Sequence, residues 1–363
     1  MTTEAANDFG RAVPQRPGKR QRLAAFCSAV GVLPGLTSLR RILRKDLRIL
    51  AYHRVLNISD PDAFAFDLNE VSASPEQFRQ QMELVKRHYD PVSFRELIAA
   101  IEGGQPLPPR PLIVTFDDGY DDNYHIAFPI LRELGLSAMF FVSTGHIDSG
   151  MPYAYDWLVH MLCRTRATRL KVAELAFDKA LPATLAGRRE LGKELLFHLK
   201  GLDAATQAAI IARLGDDWGM PPARHPQCRP MTWDQLREMR AAGMEVGSHG
   251  VDHNILAKLS PAAMAAEVRQ SMRTLERELG PPIEVLSYPV GGPDSYNEQV
   301  IEAAREAGFR MACNYVTGVN RLPVPAHYEL QRLSVESEMD IDWFAAMTSL
   351  PEVFAHPKRV RAG

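Results

Sequence analysis

Four aspartates fall within six residues of this chain, in the stretch TFDDGYDDN at 115–123, directly after the apolar run PLIV. Like charges this close repel, so something must offset them. Farther along, SHGVDH at 248–253 places His249 and His253 four residues apart. On an opening helical turn both rings would point to one side. Two imidazoles and one carboxylate, with positions left open, make a common site for Zn²⁺ or a similar divalent cation. An HxxxH pair alone is a weak signal, and surface or helix-cap histidines are its other reading. The carboxylate partner would come from Asp117 and Asp118. Adjacent residues leaving a strand point in different directions, so one can ligate a cation while the other stands beside it as a base. A cation also opposes the rise in pKa that two neighbouring carboxylates impose on each other. Gly119 permits the tight turn that exposes both. Asp121 and Asp122 precede a helix that begins near Asn123, and they read as helix-start residues.

These groups need a frame. Short apolar runs alternate with longer amphipathic ones. The runs LRILAYH (47–53), LIVTF (112–116), AMFFV (138–142), MEVGS (244–248), EVLSY (284–288), RMACN (310–314) and YELQRLSV (328–335) read as strands. Helical patterns cover 75–88, 93–101, 123–134, 232–242, 260–279, 295–307 and 340–348. Capping signals precede several of them, at Ser74-Pro75-Glu76, Thr232 to Gln235 and Ser260-Pro261. Strands alternating with helices imply an α/β fold on a parallel sheet. Seven strands suggest one barrel, complete or not, rather than two domains. In such barrels catalytic groups sit on loops at the C-terminal strand ends. Asp117-Asp118, His249/His253 and Pro289 to Gly292 all fall there. Residues 150–230 break the rhythm with Ala-rich helical pattern and no convincing strand, which reads as a helical insertion.

The chain has 363 residues, 46% hydrophobic and 24% charged, with a formal net charge of -2. That is globular composition, and it argues against nucleic acid as a partner over the whole chain. Cys27, Cys163, Cys228 and Cys313 form no CxxC pair and read as reduced thiols. Residues 1–45 divide into a polar, disordered start and a basic amphipathic segment containing RPGKRQR and TSLRRILRK. The intervening apolar run is too short to span a bilayer and is not followed by an AxA-like cleavage site. The segment either rests on a membrane surface or packs on the domain. Cytoplasm or the cytoplasmic face of the inner membrane is the expected location, with a signal anchor and the periplasm as the alternative. The barrel is expected over 46–345, and 346–363 as a C-terminal tail. Oligomeric state is left open.

TFDDG, then SHGVDH, then SYPVGG, in this order, resemble the polysaccharide deacetylases of the carbohydrate esterase type. LAYHRV, the pair of helical patterns from SPEQF to SFREL, and TWDQLREMRAAGMEVGSHGVDH resemble the exopolysaccharide-associated bacterial branch. The resemblance extends over roughly residues 45–340. It implies a distorted (β/α)7 barrel, in keeping with the strand count. It further implies Asp117 as general base, Asp118, His249 and His253 as ligands of a divalent metal, Zn²⁺ first, and the Val290 N–H as an oxyanion donor. The implied reaction removes N-acetyl groups from a sugar polymer or a lipid-linked oligosaccharide.

The chain departs from that pattern. Gly250 follows the first histidine where Ser or Thr is common in the family. Leu286-Ser287-Tyr288 offers no arginine to hold the base, so Arg332 becomes the candidate. The late Leu-x-His acid motif is missing, leaving His53 at the first strand end, or His327, as the acid. Asp156-Trp157 and Tyr296 are candidates to face a sugar. Two other functions stay in view: an amide or O-acetyl ester hydrolase on the same barrel, and a non-catalytic carbohydrate-binding protein.

Overall fold

Seven buried strands close on themselves in this computed structural model, which describes residues 18–32, 35, 40, 44–104 and 106–356. They are β1 (Asp46–Tyr52), β2 (Pro111–Phe116), β3 (Met139–Val142), β4 (Glu245–Ser248), β5 (Val285–Ser287), β6 (Met311–Thr317) and β7 (Leu330–Ser334). All pair in parallel and in chain order, and β1 joins both β2 and β7. Ile49 lies opposite Ile113, and Leu50 opposite Val114 and Leu333. The closure is irregular. β4 and β5 share the single pair Leu286 and Ser248, and the register of β6 against β7 shifts between Cys313 and Thr317.

Alternation along the strands sorts the core. Leu47, Ile49, Ile113, Met139, Phe141, Val285 and Cys313 form one cluster, with Phe94, Leu97 and Ile98 of helix Phe94–Gly103 packed into it. Glu245 fixes that helix by accepting from the N–H groups of Phe94 and Arg95 at 2.8 and 2.9 Å. Leu50, Tyr52, Val114, Phe116 and Leu286 belong to a second cluster with the surrounding helices. The capping signals at Ser74 and Thr232 each form a capping box, Ser93 forms a further one, and such caps contribute about 1 kcal/mol each.

Four expectations need correction. Residues 150–230 are not wholly helical: Arg169–Val172 and Phe177–Ala180 pair as an antiparallel hairpin. Their exposed Arg, Lys and Asp residues hide the strand pattern. The helix expected at 123–134 opens with a π-helical turn, Asn123–Ala127, before Phe128–Leu134. Asp121 and Asp122 do not cap it. Asp121 pairs with Arg229 at 2.9 Å. Asp122 accepts from Arg54 Nε at 2.8 Å and from Val55 N at 2.9 Å. Finally, the boundary at 345 cuts helix Ile341–Ser349, and helix Pro351–Phe354 follows with Phe354 buried, so a tail cannot begin at 346.

Of the disorder expected over 1–19, residues 1–17 lie outside the described residues, and the structure corrects the rest at Lys19. Lys19–Ala29 is a helix whose Ala24 is fully buried, and Gln21 donates to Asp340 at 2.8 Å. Among the described residues no helix is long and apolar enough to cross a membrane.

Candidate active site

The end of β2 turns abruptly. Asp118 and Gly119 both take left-handed backbone, with φ of 74° and 70°. A Cβ on Gly119 would lie 2.8 Å from Val142 Cγ1, so glycine is required there. The turn sends the two carboxylates apart, and both residues are 2% exposed. Asp117 meets Arg332, whose Nη1 and Nη2 donate to its Oδ1 and Oδ2 at 2.8 and 2.7 Å. Arg332 also donates to Ser287 Oγ at 2.9 Å and to the Asn314 carbonyl at 2.8 Å. Burial pushes the Asp117 pKa up, but Arg332 and His249 outweigh it and hold the carboxyl below its ordinary value. The pair therefore stays ionised, as a bidentate guanidinium–carboxylate does.

Asp118 faces the histidines. Its Oδ1 is 3.5 Å from His249 Nε2 and 3.3 Å from His253 Nε2. These are the edge lengths of a tetrahedron whose centre is about 2.0–2.1 Å from each donor, the usual Zn–N and Zn–O distances. Asp118 Oδ1 is buried and has no hydrogen-bond partner among the described residues. Orphaned buried carboxylate oxygens are costly, and a cation is the partner that fits this donor set. His249 Nδ1 lies 2.7 Å from the Ser287 carbonyl, which turns Nε2 toward Asp118.

The histidines do not sit on a helical turn. Residues 249–253 form an irregular loop around Glu267, whose Oε1 accepts from the N–H groups of Val251 and Asp252 at 3.0 and 2.7 Å. Gly250 has a φ of 81°, and a side chain there would start 3.1 Å from that same oxygen, which accounts for glycine after the first histidine. His253 and Val290 are also left-handed, with φ of 57° and 64°. Non-glycine residues rarely adopt this conformation, and strain of this kind gathers at functional sites.

The remaining candidates divide. His53, after β1, lines the same cleft as Val290. Its Nδ1 is 3.5 Å from the Tyr315 hydroxyl and its Nε2 3.9 Å from Glu70. His53, Glu70 and Asp118 each place one ligand-type atom within 4.8 Å of the others. His327 is excluded by place: its carbonyl accepts from Ala312 N at the start of β6, the opposite barrel end. Asp156 and Trp157 face inward. Tyr120 and Cys228 donate to Asp156, and burial raises that carboxyl to about 7. Trp157 Nε1 donates to the Met220 carbonyl. Tyr296 stacks on Tyr288 and bonds Asn314 and Glu329.

Sequence reasoning passed over Tyr153 and Tyr155. The Tyr153 hydroxyl donates to the Asp118 carbonyl at 2.7 Å, and that of Tyr155 to Asp118 Oδ2 at 3.2 Å. Their rings stack and lie 5.1 and 5.2 Å from the His253 ring. The available signal was the pair of tyrosines in PYAYD beside the flagged Asp156, where Tyr153 is the N-cap and Tyr155 lies in the first turn of helix Ala154–Arg164. These groups line a cleft of about 540 Å³.

The sequence profile of the polysaccharide deacetylase family matches residues 104–163 and 165–312, more than half of the chain. The chain belongs to the polysaccharide deacetylase family. YxkH of Bacillus subtilis strain 168, whose name assigns it only provisionally to the polysaccharide deacetylases, is 24% identical to this family member over 243 residues, 65% of the chain and 55% of that relative. The poly-beta-1,6-N-acetyl-D-glucosamine N-deacetylase of Escherichia coli K12 is 36% identical over 77 residues, 21% of the chain and 11% of that relative. Thus the chain spans about half, or less, of the relatives it matches. Among solved structures, the Streptococcus pyogenes deacetylase PplD superimposes with a TM-score of 0.56 at 18% identity, covering 86% of this chain and 100% of that one. IcaB from Ammonifex degensii gives 0.52 at 20% identity, covering 84% and 97%. These likenesses establish the barrel of this deacetylase-family chain.

Proposed function

We propose that this chain hydrolyses the N-acetyl amide of an N-acetylated sugar polymer or lipid-linked oligosaccharide. The observation that carries this reading is the orphaned Asp118 oxygen facing two imidazoles, beside a base already held by Arg332. The activity for which the E. coli relative is named supports the same substrate chemistry. Asp118, His249 and His253 would hold a divalent metal, Zn²⁺ first, which when bound polarises water and the acetyl carbonyl. Asp117 takes the proton of the attacking water. Arg332 occupies one lone pair on each of its oxygens, which aims the others and keeps the group ionised. Val290 at the cleft wall offers its peptide N–H to the developing oxyanion. His53 protonates the leaving amine, oriented by Tyr315 and Glu70. Acetate leaves, and the glycan keeps the sugar with its amine now free.

Acetate release from N-acetylglucosamine oligomers tests this. Release should stop with chelator and return with Zn²⁺. Release that ignores the chelator, or faster release from an O-acetyl sugar, overturns it.

The same proposal places the chain against an anionic membrane surface, where a lipid-linked precursor would be presented. Helix Lys19–Ala29 turns Leu23 and Phe26 outward, 45% and 63% exposed, with Val30 just beyond at 51%, next to Lys19, Arg20 and Arg22. Apolar stripes flanked by cations suit the anionic cytoplasmic leaflet. Sedimentation with anionic vesicles should carry the protein down, and Phe26→Glu should weaken this severalfold. No binding by the wild type rejects the membrane placement.

A further inference from the structure

One wall of the cleft comes from the insertion, not from the barrel. Leu196 and Phe197 near the end of helix Leu185–Leu199, with Lys200 after it, face the same space as Ala204 and Ala208 of helix Ala204–Trp218. Those helices are held by a core of their own, including Trp157, Leu158, Met161, Leu195, Ile210 and Leu214. Phe197 takes no part in it. The ring is 62% exposed on the rim of the cavity that ends at Asp118, His249 and His253. Among the described residues its one ring neighbour is His198, edge-on at 5.7 Å. A large aromatic left open to water on the wall of a cleft is unspent binding surface.

The chemistry at the far end limits what can lie against it. On the deacetylase reading an acetamido group occupies the Asp118 end, while the cavity of about 540 Å³ falls within the roughly 300–1,000 Å³ of sites that take drug-sized ligands. The space between the donors and Phe197 is thus suited to a chain that continues past the reacting sugar. A pyranose has an apolar C–H face that packs on an aromatic ring, and hydroxyl edges that need donors and acceptors. Lys193 and Lys200 lie about one turn before and after Phe197, and both line the cleft, where their ammonium groups can donate to such edges.

We propose that Phe197 is the platform for the sugar adjoining the one that loses its acetyl group, so that the substrate is a glycan of at least two linked N-acetylated sugars rather than a single N-acetylated monosaccharide. This rests on the deacetylase reading above. The test is calorimetric titration of the full chain in chelator, which separates binding from turnover. The probes are N-acetylglucosamine tetramers, β-1,6- and β-1,4-linked in separate titrations, against the monosaccharide. At least one tetramer should bind the wild type more tightly than the monosaccharide. Phe197→Ala and Phe197→Leu should each weaken that tetramer roughly tenfold, and Phe197→Trp should keep it, because the ring face and not mere bulk carries the contact. Neither tetramer binding better than the monosaccharide, or Phe197→Ala binding as the wild type does, overturns the proposal. Tetramer binding without acetate release from metal-loaded protein would instead count against the deacetylase reading and leave the platform standing.

Discussion

Asp118→Ala is expected to empty the metal site and to lower acetate release by on the order of 10³-fold or more. The reason lies in how Asp118 is placed. Its Oδ1 is buried, unpartnered among the described residues, and within 3.5 Å of both imidazole Nε2 atoms. Removing it takes away the anionic donor and leaves two neutral ones. His249→Ala and His253→Ala should act in the same direction. Two readouts separate this from simple loss of the fold. Metal per chain should be one for the wild type and near zero for each variant. Added Zn²⁺ should raise the wild-type melting temperature, since a ligand at a hundredfold excess over its Kd stabilises by about 2.7 kcal/mol, and should leave the Asp118→Ala melting temperature where it was. Asp117→Asn is the contrast: it should keep the metal and still lose activity by roughly 10²–10⁴-fold, the usual share of a general base. A wild type that binds no metal and shows no thermal shift would remove the basis for all of these roles.

Much of this site could be read from the sequence because the fold delivers strand ends to one face. TFDDG, SHGVDH and YPVGG each follow an apolar run, and β2, β4 and β5 carry them to the same cleft. The strand limits lie within a few residues of those read from pattern, because all seven runs are buried along nearly their whole length. What pattern could not supply was set by contacts distant in sequence. The turn at 249–253 depends on Glu267, one helix later. Asp122 looks like a helix cap in its own segment, yet Arg54 and Val55 claim both its oxygens. Tyr153 and Tyr155 reach Asp118 only because the insertion folds back over the barrel mouth. The hairpin at 169–180 is half exposed and highly charged, so its alternation carries little hydrophobic signal.

Arg332 offers the sharpest separation of stability from chemistry. It is 1% exposed, and its guanidinium donates to Asp117 twice, to Ser287 and to Asn314. Arg332→Met should destabilise the protein by about 3–5 kcal/mol, because it leaves the Asp117 carboxylate buried and uncompensated. Activity should fall with it, since a base that has lost its bidentate holder is neither aimed nor kept ionised. Arg332→Lys retains the charge but not the fork, so it should recover part of the stability and little of the rate. The double variant Asp117→Asn, Arg332→Met removes both charges together. Chemical denaturation should find it more stable than Arg332→Met alone, while acetate release stays at the Asp117→Asn level. If the double variant is instead no more stable than Arg332→Met, then the guanidinium over the rings of Phe141 and Tyr315, and not the unpaired carboxylate, governs the loss. The pair would then be a structural strut that happens to border the site, and Asp117 would need another group to hold it as a base.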